Sequence, residues 1–182
     1  MNTHTVLFGL LASLAVVLGG TLIVARREWP QQLQTALLAL GAGFLLALAF
    51  LKLIPVSIGL LSETAALTIL AGFSTVHFFE HTIVRHLHFG EETHHDAIAT
   101  RTGAVSAFVG LFIHAFFDGL SISIGIQVDF LIGILIFFAI LLHKFPEGLT
   151  VGSIMTTAGF HRRIAFLAAV GIALATFLGA MS

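Results

Sequence analysis

Residues 130–153 read FLIGILIFFAILLHKFPEGLTVGS, and the part over 130–142 carries no polar side chain. A helix that spans the hydrocarbon core of a membrane needs about 20 apolar residues. Five other segments are comparably apolar, and their apolar runs are continuous rather than alternating, which favours helices. The sequence therefore predicts an all-α integral membrane protein with a single transmembrane domain over residues 1–182. The six predicted helices cover residues 5–25, 33–54, 61–83, 103–126, 130–153 and 164–181.

The amino-acid composition excludes several classes of protein. Of the 182 residues, 58% are hydrophobic and 9% are charged, whereas an ordinary soluble domain has about 25% charged residues. The net charge of −1 excludes a polybasic surface, so nucleic acid is not an expected partner. The chain has no cysteine, which excludes disulfides and thiolate metal sites. Its ten histidines outnumber its eight lysines and arginines, and neutral imidazole is a common ligand of transition metals.

The arginines lie in alternate loops between the predicted helices. The first, third and fifth loops carry arginine, whereas the second and fourth carry none. Because positive side chains collect on the cytoplasmic side of a membrane protein, we expect both termini to lie outside. The expected location is the plasma membrane, the inner membrane of the cell. The arginines concerned are Arg26, Arg27, Arg85, Arg101, Arg162 and Arg163.

Two stretches in the fourth and fifth predicted helices repeat one another. Residues 114–121 read HAFFDGLS and residues 143–150 read HKFPEGLT, so His, Phe, Gly and Leu are identical and Asp aligns with Glu. Within each copy the histidine and the acid are four residues apart, which places both on one helix face. Consecutive helices run antiparallel, so the repeat is inverted in the membrane, as is typical of transporters. Four ionisable groups at one depth are costly as mere contacts between helices, but they can bind a divalent cation. The predicted ligands are His114, Asp118, His143 and Glu147.

Further histidines lie towards the predicted cytoplasmic side. The third predicted helix carries a polar stripe that suits either an exit path for metal or interfacial contacts with headgroups and water. The loop over residues 86–96 reads HLHFGEETHHD, and it suits either a cytosolic loop that collects metal or a flexible polar loop. The stripe comprises His77, Glu80 and His81, and the loop histidines are His86, His88, His94 and His95.

The repeat resembles the signature of the ZIP (zinc- and iron-regulated) metal transporters. Members carry a motif close to His-Asn-x-x-Asp/Glu-Gly in the fourth helix and one close to His-x-x-Pro-Glu-Gly in the fifth. Residues 114–119 and 143–148 are similar to these motifs at nearly every position. The resemblance implies a transporter that brings a divalent metal, most often zinc, into the cytosol, with the four predicted ligands as its main transport site. It also implies a cytoplasmic histidine-bearing loop after the third helix.

The sequence departs from the family pattern beside the site. Ala115 stands where many members have asparagine, and Lys144 stands where members with two metal ions have an acid. We predict that the charge of Lys144 substitutes for the second metal, which leaves one ion per site. The family has eight helices and six are predicted here. The sequence is therefore compatible both with a fragment and with a natural short form.

Three classes of function are compatible with these features. The first is a divalent metal transporter for Zn²⁺, which is not an enzyme and has no cofactor other than its transported ion. The second is an intramembrane metal-dependent hydrolase, but the sequence has no His-Glu-x-x-His and no spare general base near the repeat. The third is a truncated, non-transporting metal-binding protein. The expected partners are the lipid bilayer and the divalent ion, and a homodimer is left open.

Overall fold

The computed structural model describes residues 3–25, 30–82 and 100–182, and the described residues form six helices and no strand. The second helix, α2, covers residues 31–61 and has three parts: Gln31–Leu48, a π-helical turn at Ala49–Leu53, and Ile54–Leu61. The prediction of an all-α protein is confirmed. The other helices are α1 (Thr3–Ala25), α3 (Thr64–Thr82), α4 (Arg101–Val128), α5 (Phe130–Thr157) and α6 (Arg162–Met181).

Among the described residues, five helices are long and apolar enough to cross a membrane. The apolar part of α3, Thr64–Thr75, is shorter than these five. Since lipid offers the backbone no hydrogen-bond partners, helices that satisfy their own backbone groups suit a bilayer. The predicted class, an integral membrane protein, is confirmed. The five apolar stretches are Thr3–Ile23, Thr35–Leu61, Arg101–Val128, Phe130–Thr157 and Arg162–Met181.

The second helix continues past residue 54, where the sequence analysis ends it. Pro55 has no N–H to donate to the carbonyl four residues earlier, and its ring would clash there in a regular α-helix. The π-helical turn directly before it, in which the N–H of Ile54 donates to the carbonyl of Ala49, widens the helix at this point. The helix therefore runs on until Ser62, whose φ of 50° ends it. The third helix consequently begins at Thr64 rather than at residue 61.

Helices α4 and α5 form a tight antiparallel hairpin. Asp129 alone separates them, and its Oδ1 accepts a hydrogen bond from the N–H of Ile132 at 3.1 Å, which caps α5. Close to the turn, a Cβ added to Gly133 would lie 2.8 Å from the backbone of Ile126. Only glycine fits at such a contact, so the two helices meet closely where they leave the turn.

The glycine of each repeat copy packs its helix against a different neighbour. A Cβ on Gly119 would lie 1.9 Å from the carbonyl oxygen of Thr176 in α6. A Cβ on Gly148 would lie 2.1 Å from the carbonyl oxygen of Val16 in α1. Helix α4 is therefore held against α6 and α5 against α1, while α2 packs on the outside of α5. The two repeat copies meet where α4 and α5 contact one another.

Helix α3 differs from the others because it makes its main contacts with the end of α2 alone. Ala65 is the one buried residue among its described side chains. Large apolar side chains such as Leu67 and Phe73 are more than half exposed and are suited to contact lipid. The predicted exit stripe is thus carried by a helix that does not pack against the repeat helices in the described part of the chain.

Candidate metal site

The hairpin brings the two histidines of the repeat to the same depth. His114 lies 15 residues before Asp129 and His143 lies 14 residues after it. At a helical rise of about 1.5 Å per residue, both lie roughly 21–23 Å along their helices from the turn. Their ring centroids are 5.9 Å apart. Equal spacing from a one-residue turn therefore explains why two distant sequence positions meet.

The carboxylate of Asp118 is the centre of the site. Its Oδ2 lies 3.3 Å from Nε2 of His114 in the same helix and 3.0 Å from Nε2 of His143 in α5. Nζ of Lys144 lies 2.9 Å from the same oxygen. One carboxylate oxygen thus has three nitrogen atoms around it, two of which belong to imidazoles.

The spacing of these groups is compatible with a bound metal ion. One ligand atom from each of His114, Asp118 and His143 lies within 4.8 Å of the other two. Ligands about 2.0–2.1 Å from a tetrahedral zinc ion are about 3.3–3.4 Å from one another. The two histidine–aspartate distances, 3.3 and 3.0 Å, are within a few tenths of an ångström of that value. Small side-chain movements would therefore let the three groups bind one divalent ion.

The hydrogen bond made by Nδ1 of His143 holds the ring in an orientation that suits a metal ligand. Its Nδ1 lies 3.0 Å from the carbonyl oxygen of Ala139, one turn earlier in α5. When Nδ1–H donates to this carbonyl, Nε2 can keep its lone pair for a cation shared with the carboxylate of Asp118. A backbone carbonyl is a common orienting partner for a histidine that binds metal. The local helix thus selects the tautomer in which Nε2 can bind a cation.

The site is closed on the side of α2 and open on the side of His114. A Cβ added to Gly41 of α2 would lie 2.9 Å from Cβ of His143, so α2 covers this histidine closely. The side chain of His143 is 10% exposed, whereas that of His114 is 55% exposed. Among the described residues, the cluster is therefore covered on the α2 side and uncovered on the His114 side.

Lys144 is more buried than the histidine–aspartate cluster. Its ammonium connects this cluster to Glu147, the fourth predicted ligand. Its side chain is fully buried, and its Nζ donates to Oδ2 of Asp118 and to Oε2 of Glu147. Glu147 is also buried, and its Oε1 has no hydrogen-bond partner in the described part of the chain. Two carboxylates thus compensate the buried ammonium, which would otherwise be very costly. Glu147 therefore contacts the lysine and lies outside the three-residue cluster, and its role as a ligand stays a prediction.

The remaining predicted residues lie away from this cluster or outside the described residues. His77 stacks on Phe73 within α3, with ring centroids 5.7 Å apart. Glu80 and His81 belong to α3, but their side chains are outside the described part of the structure. The loop histidines, listed as His86, His88, His94 and His95, also lie outside the described residues.

Sequence reasoning missed two parts of the site. Gly41 could have been noticed, because glycine in the interior of an apolar helix is unfavourable and usually has a packing reason. The contact of His143 with the carbonyl of Ala139 could not have been predicted, because every residue in a helix has a carbonyl. The sequence therefore indicated the three clustered side chains but not the wall and the backbone that hold them.

Comparison with known proteins supports this reading of the repeat. A family model described as the ZIP zinc transporter matches residues 84–181, more than half of the chain. The match includes all of α4, α5 and α6, and thus both repeat copies. The chain matches none of the curated proteins and none of the solved structures with which it was compared.

Proposed function

The chain belongs to the ZIP zinc transporter family, and from this membership we propose that it moves zinc across the membrane into the cytosol through one site between α4 and α5. Proteins of this family transport divalent metal ions across membranes. The observation that carries the proposal is the cluster of His114, Asp118 and His143, whose ligand atoms lie within 4.8 Å of one another. These residues come from both copies of the repeat, as expected of a transport site at a repeat interface.

The chemistry of the cluster supports zinc as the transported ion. Two imidazoles and one carboxylate form a mixed nitrogen and oxygen donor set, which zinc accepts in four-coordinate sites. Calcium and magnesium instead prefer oxygen ligands alone. Three protein ligands leave the fourth position of a tetrahedral ion to be filled.

Glu147 is proposed as the fourth ligand of the bound ion. Its Oε1 is buried and lacks a hydrogen-bond partner among the described residues, and such an atom is costly unless a cation or proton satisfies it. Its Oε2 is held by Lys144, which also contacts Asp118. A movement of the lysine and the two carboxylates towards the histidines would be needed to join Glu147 to the cluster.

Lys144 is proposed to replace a second metal ion. Its ammonium contacts both acids. A second divalent ion would have to occupy the same position and share the same two carboxylates. Two divalent ions together with the lysine would place a large positive charge between only two carboxylates. The proposed site therefore holds one ion at a time.

The distribution of positive charge supports an orientation with both termini outside. Nη2 of Arg101 donates to the carbonyl of Gly159 at 3.4 Å, and the guanidinium lies over the ring of Phe160. Arg162 and Arg163 follow at the start of α6, so three arginines lie at one end of the bundle. This end is proposed to face the cytosol, at the plasma membrane, and the α3 stripe and the loop over 86–96 are proposed to receive metal there.

Uptake of labelled zinc into vesicles that contain the purified protein tests the proposal. Wild type should accumulate zinc, whereas Asp118→Asn should lose uptake because the central carboxylate charge is removed. Asp129→Asn is the matched control, because asparagine caps a helix as well as aspartate and Asp129 lies at the hairpin turn. Zinc binding without any uptake by wild type would instead identify a non-transporting metal-binding protein.

A further inference from the structure

Lys144 is a charged group that the binding of one metal ion does not itself require. It is fully buried near the middle of α5, whereas the chain's other lysine, Lys52, is only partly buried in the π-helical turn of α2. An ammonium in the interior of a membrane protein is costly and commonly marks a function. Its two partners are the acids of the repeat, so the lysine contacts both copies at once.

The lysine sets the charge of the site with and without metal. Counting only the acids and the lysine, the charged groups of the site are the carboxylates of Asp118 and Glu147 and the ammonium of Lys144. The empty site therefore carries one net negative charge, and a divalent ion changes it to one net positive charge. A neutral residue at position 144 would leave two negative charges in the empty site and none in the loaded site.

These charges determine how easily each form crosses the membrane interior. The energy of transferring a charge into a low-dielectric medium rises with the square of that charge. With lysine present, the empty and the loaded site carry charges of equal magnitude and meet similar penalties. Without it, the loaded site would meet almost none, while the empty site would meet a penalty about four times larger by the same square law.

We propose that Lys144 is an internal cation that lets the transporter return without a metal ion. Its ammonium contacts both acids and offsets one of their two negative charges whenever the ion is absent. This inference rests on the proposed function, since it requires that the site alternates between the two sides of the membrane. Lys144 is assigned to the step in which the empty site returns across the membrane (the empty step). The cluster of His114, Asp118 and His143 serves the step in which the site carries the ion (the loaded step).

Two uptake measurements on the same vesicles separate these steps. Net uptake into zinc-free vesicles requires the empty site to return, whereas exchange of labelled zinc against unlabelled zinc inside does not. We expect Lys144→Gln to lower net uptake at least about tenfold, a rise of about 1.4 kcal/mol in the barrier of the empty step. Exchange should stay within about twofold of wild type. Lys144→Met, which removes the charge but keeps a side chain of similar length, should change net uptake and exchange in the same way. Lys52→Gln is the matched control and should keep both activities.

The result that would overturn the inference is an equal loss, or an equal retention, of net uptake and exchange in both neutral variants. A loss of zinc binding in these variants, or failure of both to insert, would assign the lysine a structural role and would also overturn it. Absence of uptake by wild type in both measurements would instead contradict the proposed function itself. The difference between net uptake and exchange therefore distinguishes the two claims.

Discussion

Nζ of Lys144 lies 2.9 Å from Oδ2 of Asp118, the same oxygen that both histidines of the repeat approach. The lysine and a metal ion would therefore share one carboxylate. Because the second acid, Glu147, also binds this ammonium, a shift of Lys144 would change the surroundings of both acids together. The contact between Lys144 and Asp118 thus links the occupancy of the metal site to the charge beside it.

The two histidines should be equally necessary for transport although their exposure differs. His114→Ala and His143→Ala each remove one imidazole from the cluster, so zinc affinity should fall at least about 100-fold and uptake should be lost. Glu147→Ala should also abolish uptake if Oε1 completes the ligand set. His161→Ala, at the start of α6, is the matched control and should keep uptake. Isothermal titration with zinc and vesicle uptake check this, and full uptake by two of the variants at the four predicted ligands would refute the assignment.

Gly41 should be necessary for the position of His143, whereas Gly43 in the same helix should not be. A Cβ on Gly41 would lie 2.9 Å from Cβ of His143, so Gly41→Ala must displace α2 or the histidine. Zinc affinity should fall by about 3- to 10-fold, because metal ligands tolerate displacements of only about 0.5 Å.

Gly43→Ala is the matched control, since no neighbouring helix in the described part of the chain has an atom within 4 Å of the added Cβ. It should leave zinc affinity unchanged and should stabilise the helix by at most about 1 kcal/mol. Equal zinc affinities in the two variants would show that α2 does not position the site.

The histidines of the loop over residues 86–96, which is proposed to face the cytosol, should be dispensable for binding at the proposed transport site. Replacement of all four by serine should leave zinc affinity at α4 and α5 unchanged and should alter at most the rate of uptake. The physical reason is distance, because we expect this loop outside the hydrocarbon, roughly 15 Å from the midplane. Titration and uptake with the quadruple variant check this, and complete loss of uptake with normal insertion would place the loop in the transport pathway. The residues concerned are His86, His88, His94 and His95.

Much of the fold was predictable because hydropathy and the repeat act over short distances along the chain. Continuous apolar runs predicted the helices, and the repeat predicted that α4 and α5 would present histidines at one depth. The end of α2 was not predictable in the same way, since a proline normally ends or kinks a helix. The π-helical turn at Ala49–Leu53 accommodates Pro55, and hydropathy carries no information on it.

The site was predictable in its short-range part only. His114 and Asp118 share a helix face by their spacing, and antiparallel pairing brings His143 to them. The partner of Glu147 was not predictable in detail, because its spacing from His143 fixes a helix face but not whether the carboxylate meets the histidines or Lys144. The long side chain of Lys144 reaches both acids, and the role of Glu147 as a metal ligand stays a prediction.

Anomalous diffraction at the zinc edge, from crystals of the wild-type protein grown with zinc, would show where zinc binds and how many ions the site holds. We expect one zinc ion between α4 and α5, about 2.0–2.2 Å from Nε2 of His143 and from a carboxylate oxygen of Asp118. Nζ of Lys144 should remain beside the acids, with no second ion there. Two adjacent zinc ions about 3.5–4 Å apart, or a zinc ion bound only elsewhere in the protein, would refute a single-ion site between α4 and α5.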